Sequence, residues 1–256
     1  QEQLQSLKNK VTSFCSLCHL CLSDPDAGVQ EKAFTVLSDL LVIFGPQLPR
    51  DGRDALAPLV VQPEADLQSQ LAAFLMDHVF YGDQEELSST EDTERHVVEL
   101  PQRRVFLAGF CKLIIYNVLE LSAASDVFKH YAKFHSDYGD IIKEMLSLTR
   151  NMDLQEWGRT LLLSLKQLMT ELLLQEGPDI QDTKGFQEIR DLARRFSPLF
   201  SFHQLQNRRV LVDLHKEGIE FAFQDGPKHR RGLPPLNLPF LEVLSEFSSR
   251  LLSPDK

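Results

Sequence analysis

Apolar residues recur at spacings of three and four along most of this chain, and that rhythm limits the fold more than any other feature. Leu4, Leu7, Val11, Phe14, Cys15, Cys18, Cys21 and Leu22 share one face of a helix. Asp24-Pro25 stops that helix. Val29, Ala33, Val36, Leu37, Leu40, Leu41 and Phe44 repeat the spacing until Gly45-Pro46 ends a second one. A short polar connector makes the two an antiparallel pair. Further helices are expected at about residues 51–61, 64–80, 102–121, 123–135, 139–150, 153–175, 185–196, 202–223 and 238–252. No strand or Asn-Gly hairpin signal competes. Eleven helices in 256 residues give a helix pair every ~46 residues, inside the ~40–47 of HEAT or armadillo units. The expected fold class is all-α, a HEAT-like helical-repeat solenoid of antiparallel helix pairs.

Local signals place some helix ends and one interior. Asp153, with Glu156 three residues on, forms a capping box, and Gly177-Pro178 closes the helix that follows. Asp26 to Leu40 has the look of half a HEAT repeat, with small Ala33 where a neighbouring helix must come close. The segment Gln102 to Leu121 is apolar almost all round, which predicts contact on several sides. Tyr81 to Pro101 carries seven acidic residues against one arginine and reads as an acidic loop. The expected organisation is therefore helix pairs over 1–80, the loop at 81–101 and helix pairs over 102–252. Gln224 to Pro235 reads as a second exposed stretch.

Charge narrows the partners. Lys and Arg number 27 against 37 Asp and Glu, a net charge of -10 that disfavours wholesale wrapping by nucleic acid or an anionic membrane. The balance reverses locally, because Lys184 to Arg231 holds ten basic and six acidic side chains. No apolar run reaches membrane-spanning length and the first residues lack signal-peptide order, so no membrane partner is expected. Four cysteines are too few and too uneven for a disulfide framework, which predicts a reducing compartment, cytosol or nucleus.

Chemistry-bearing motifs are weak. Cys15-Ser16-Leu17-Cys18-His19 matches C-x-x-C-H for haem attachment, and Cys21 adds a third thiol for zinc. Those cysteines lie on the apolar stripe, where free Cys acts as a small hydrophobe, so core is the favoured reading. The other histidines show no metal-ligand spacing. A Gly-rich phosphate loop, G-x-S-x-G and H-E-x-x-H are all missing from the sequence, so no enzyme, cofactor or metal is expected. Asp137-Tyr138-Gly139-Asp140 lies between two predicted helices, where Asp137 or Asp140 would cap the next helix and Gly139 would turn the chain. Alternatively it offers a carboxylate and an aromatic to a partner. Arginine pairs occur at Arg103-Arg104, Arg194-Arg195, Arg208-Arg209 and Arg230-Arg231. The last three define the rival reading, a DNA-binding module in the basic segment, if they converge.

Several stretches carry a family resemblance: RRVFLAGFCKLIIY from Arg103, DVFKHYAKFHSDYGDIIKE from Asp126, LARRF from Leu192, LHKEGIEFAF from Leu214 and LPFLEVLSEFSSRLL from Leu238. Together they resemble the stromal antigen subunits of cohesin, hook-shaped HEAT-repeat proteins of the ring that holds sister chromatids together. The resemblance is close over about residues 101–252, looser before, and in the same order. It implies the carboxyl-terminal half of the hook, which clasps the kleisin subunit and through it meets the cohesin core, at the chromosome in the nucleus. By position in the matching motifs, Asp140 and Lys216 are expected to contact the kleisin; Asp137 and Tyr138 are added by proximity. His135-Ser136 and the segment Gly177 to Phe186 depart from the somatic pattern and point to the meiotic form.

Overall fold

The computed structural model describes residues 2–81, 90–201, 204–224 and 234–255, with the backbone alone at 90–93 and 204. The helices are α1 (Glu2–Cys21), α2 (Ala27–Ile43), α3 (Ala65–His78), α4 (Thr90–Ile115), α5 (Ser125–Phe128), α6 (His135–Met152), α7 (Leu154–Glu176), α8 (Lys184–Phe196), α9 (Gln204–Ala222) and α10 (Phe240–Ser245). Short 3-10 turns join several of them, and no strand occurs among the described residues. The architecture is the all-α helical repeat expected from the periodicity.

Caps fall where short polar side chains occur. The Asp26 carboxylate accepts from the amides of Gly28 and Val29 at 2.8 and 3.2 Å, and Asp153 accepts from Gln155 and Glu156, both at 2.9 Å. Each satisfies amides that the first helical turn leaves unpaired. Gly177 closes α7 at a φ of 85°, a conformation that favours glycine.

Several elements differ from expectation; of the helices expected at 123–135 and 238–252, only Ser125–Phe128 and Phe240–Ser245 are α-helical, with 3-10 turns beside them. Asp54–Leu59 winds as a 3-10 turn, in keeping with Pro58 lacking an amide to donate. The stretch expected as an acidic loop is helical from Thr90 onward, while residues 82–89 lie outside those described. There Glu99 pairs with Arg95 at 3.2 Å and with Arg103 at 2.7 Å, one helical turn to either side. Pro101 is tolerated because it is exposed, so the carbonyl its ring releases meets water. Asp137-Tyr138-Gly139-Asp140 lies inside α6, which begins at His135; Gly139 makes no turn, and the N-cap is Phe134 without a side-chain bond.

The chain divides into two compact units, Gln1–Ala124 with Ser136–Met145, and Ser125–His135 with Leu146–Lys256. In the first, α1 packs on α2, and α4 packs on α2 and α3. Phe34 stacks on Phe74 with ring centroids 4.1 Å apart, and Phe106 meets both edge-on. Cys15 and Cys18 are buried as apolar residues of α1. In the second unit, α7 packs against α5, α8 and α9, and α10 against α8 and α9. Trp157, Phe200 and Phe247 are fully buried there. Gly158 lets α7 approach α9 closely, since a Cβ on it would lie 2.2 Å from Val210 Cγ1.

Candidate protein-binding sites

The first unit carries the acidic candidate. The second turn of α6 presents Asp140, whose side chain is 68% exposed, and α4 brings Arg104 to it across 36 residues of sequence. Arg104 donates to both carboxylate oxygens, one bond measuring 2.9 Å, and also to the backbone carbonyl of Asp137. This paired donation fixes the carboxylate plane. It also holds the Asp140 carboxyl down at about 2, against the opposing effect of burial.

Its neighbours play other parts. Tyr138 is completely buried: its hydroxyl donates to the carbonyl of Val79 at 3.0 Å and its ring meets Phe80 edge-on at 5.6 Å. Burial pushes that phenol up to about 12. The expectation that Tyr138 offers its side chain to a partner is therefore corrected, because contact would require opening the core. Asp137 is buried too and faces His96 at 3.1 Å, which makes it an internal support of α6 rather than an open carboxylate. Nearby, the Arg103 guanidinium lies 3.8 Å over the ring of Tyr81 and bonds Glu99. Sequence reasoning noted Arg104 only as half of an arginine pair and missed His96 as a partner. Neither spacing nor motif links residues so far apart.

The second unit carries the basic candidates. Lys216 is exposed on α9. Arg194 bonds Asp191 at 2.7 Å and Glu246 at 3.1 Å, and Arg208 grips both oxygens of Asp255 at 2.8 Å. Arg209 lies 3.8 Å from Asp213, and Arg195 sits 5.8 Å from the Tyr131 ring centre. Arg230 and Arg231 fall outside the described residues. The described arginines of this segment thus sit beside carboxylates or an aromatic ring, not in a bare cationic face.

Among the described residues no three His, Cys, Asp or Glu side chains gather as metal ligands, and no helix is long and apolar enough to cross a membrane. Burial raises the thiols of Cys15 and Cys18 and pushes Cys111 up to about 12, so they stay protonated at neutral pH. Burial also pulls His130 down to about 3, aided by Lys129 and Lys133, which leaves it neutral.

Buried helix-on-helix packing with charged and apolar side chains turned outward defines the class, an all-α helical-repeat protein. Residues 154–256 match the STAG protein C-terminal domain. Over its whole length the chain is 56% identical to cohesin subunit SA-3 of Homo sapiens and 48% identical to cohesin subunit SA-1 of Xenopus laevis, covering 21% of each. It is 34% identical to cohesin subunit scc-3 of Caenorhabditis elegans, covering 23% of that protein. The chain belongs to the stromal antigen family, and spans about a fifth of the length of these curated relatives.

Proposed function

We propose that this chain serves as a structural subunit of cohesin, binding the kleisin subunit and supporting sister-chromatid cohesion at chromosomes in the nucleus. The greater identity to SA-3 than to SA-1 favours the meiotic form. The observation that carries the reading is Asp140, an exposed carboxylate held in a fixed plane by Arg104 at a position the family resemblance marks for kleisin contact. Lys216 supplies a second, basic contact on the other compact unit. A kleisin cation meets an Asp140 carboxylate that Arg104 already holds in place. Covering such a charge makes it costly to leave unpaired, about 2–5 kcal/mol where desolvation is complete.

Asp140→Lys sets a second cation beside Arg104 and removes the acceptor. Kleisin affinity is expected to fall at least about tenfold, roughly 1.4 kcal/mol, in isothermal titration calorimetry. The circular dichroism spectrum should stay helical, because the side chain is mostly exposed. Unchanged affinity in a folded variant defeats the assignment of Asp140. DNA binding through Arg194, Arg195, Arg208, Arg209, Arg230 and Arg231 is the weaker reading, since Arg194, Arg208 and Arg209 already face carboxylates.

A further inference from the structure

Serine is followed by proline twice, at Ser197-Pro198 and Ser253-Pro254, and the fold treats the two hydroxyls differently. Ser197 follows α8, is 4% exposed and accepts from Arg250 Nε at 3.2 Å, so its oxygen is out of an enzyme's reach unless the core opens. Ser253 and Pro254 stand exposed in a single 3-10 turn, Ser253–Asp255. The amide of Asp255 donates to Leu252 at 2.9 Å, and Arg208 of α9 donates to both oxygens of Asp255 at 2.8 Å. A short exposed turn held this way opens at little cost. Leu251, just before it, is already extended, with φ of -66° and ψ of 142°.

The residues after Ser253 add to accessibility a specific pattern. Pro254 has no amide to satisfy, and its fixed φ suits an extended chain as well as the turn. Lys256 puts a cation three residues after the serine, whereas Ser197 is followed at that distance by Phe200. Serine, proline, any residue and then a basic residue is the substrate pattern of proline-directed kinases of the cyclin-dependent class. We infer that Ser253 is a phosphorylation site for a kinase of that class, and that its phosphate shares Arg208 with Asp255. In the transfer the Ser253 oxygen attacks the γ-phosphorus of ATP, the bond from that phosphorus to the bridging oxygen breaks, ADP leaves, and the hydroxyl proton passes to the kinase's base. The product carries about 1.5 to 2 negative charges at pH 7. It lies two residues from Asp255, a rise of about 4 Å in a 3-10 turn, beside the cation that Asp255 already holds. Arg209 faces Asp213 at 3.8 Å and Arg250 is turned to Ser197, so Arg208 is the arginine placed to answer the new charge. Asp255 and the phosphate repel each other, and Arg208 bridges them. Since this arginine fastens the turn to α9, the modification acts on that fastening, independently of any kleisin contact.

The test has two arms on the 256-residue chain. In the first, wild type, Ser253→Ala, Ser197→Ala and Lys256→Ala are incubated with a purified cyclin-dependent kinase and ATP, and the products are mapped by tandem mass spectrometry. Wild type and Ser197→Ala are expected to gain one phosphate on Ser253, and Ser253→Ala none. Lys256→Ala should react at least about tenfold more slowly. Phosphate on Ser197 in place of Ser253 overturns the site. So does a synthetic peptide of residues 248–256 that is modified while the folded chain is not. In the second arm, phosphorus-31 NMR follows the phosphoserine through its second ionisation. Beside Arg208 it is expected at least about half a pH unit below the usual value of about 6, returning towards it in Arg208→Ala. The same value in both proteins overturns the shared arginine.

Discussion

Asp140 is a solvent-facing carboxylate whose acidity comes chiefly from one neighbour, the Arg104 guanidinium. With its folded pKa below that of the unfolded chain, the pair stabilises the fold above about pH 4, and that contribution is lost as pH falls through about 2. Because the carboxylate is mostly exposed, the contribution is small, about 0.2–1 kcal/mol. Arg104→Ala should therefore barely shift thermal stability, yet weaken kleisin binding by freeing the carboxylate's orientation; the two measurements together separate positioning from folding. His130 gives the larger pH effect. Burial keeps it neutral with a pKa of about 3, so the unfolded chain takes up a proton between about pH 6.5 and 3 while the folded chain does not. Stability is fully present above that window and is lost as pH falls through it, by up to about 1.4 kcal/mol per pH unit. Urea unfolding at pH 7 and pH 5 should show the loss, and His130→Gln should flatten the slope; an unchanged slope would contradict a neutral buried imidazole.

At the scale of elements, α7 has a defined start and a close neighbour. Asp153→Ala removes the acceptor of two amides and should cost about 1 kcal/mol in urea unfolding, with Asn recovering most of it. Gly158→Ala tests the contact with α9. The added methyl meets the β-branched Val210, itself buried and unable to swing away, so a loss of about 1–3 kcal/mol is expected. A neutral or stabilising result would mean that α7 and α9 are not held so close. The same elements show which boundaries a sequence can mark. Asp153 and Gly177 act through neighbours two to four residues away, so both ends of α7 were legible. The start of α6 was not, because Phe134 supplies no capping signal and Tyr138 is drawn inward by Val79 and Phe80, almost sixty residues earlier.

For the molecule as a whole, charge is decided more by pairing than by count. The basic segment has an excess of cations, yet Arg194, Arg208 and Arg209 face Glu246, Asp255 and Asp213. Few phosphates could then be neutralised, so the chain alone should not retard duplex DNA in an electrophoretic shift at about 0.15 M salt. Retention at that salt would revive the DNA reading. By itself the sequence determined the all-helical class, the core role of Cys15 and Cys18, and the family, because periodicity and motif order are properties of neighbours along the chain. Tertiary structure alone decided that Tyr138 and Asp137 are internal and that Arg104 orients Asp140. Each depends on which distant helix packs where, and a helical stripe reads identically in sequence whether a neighbour covers it or water does.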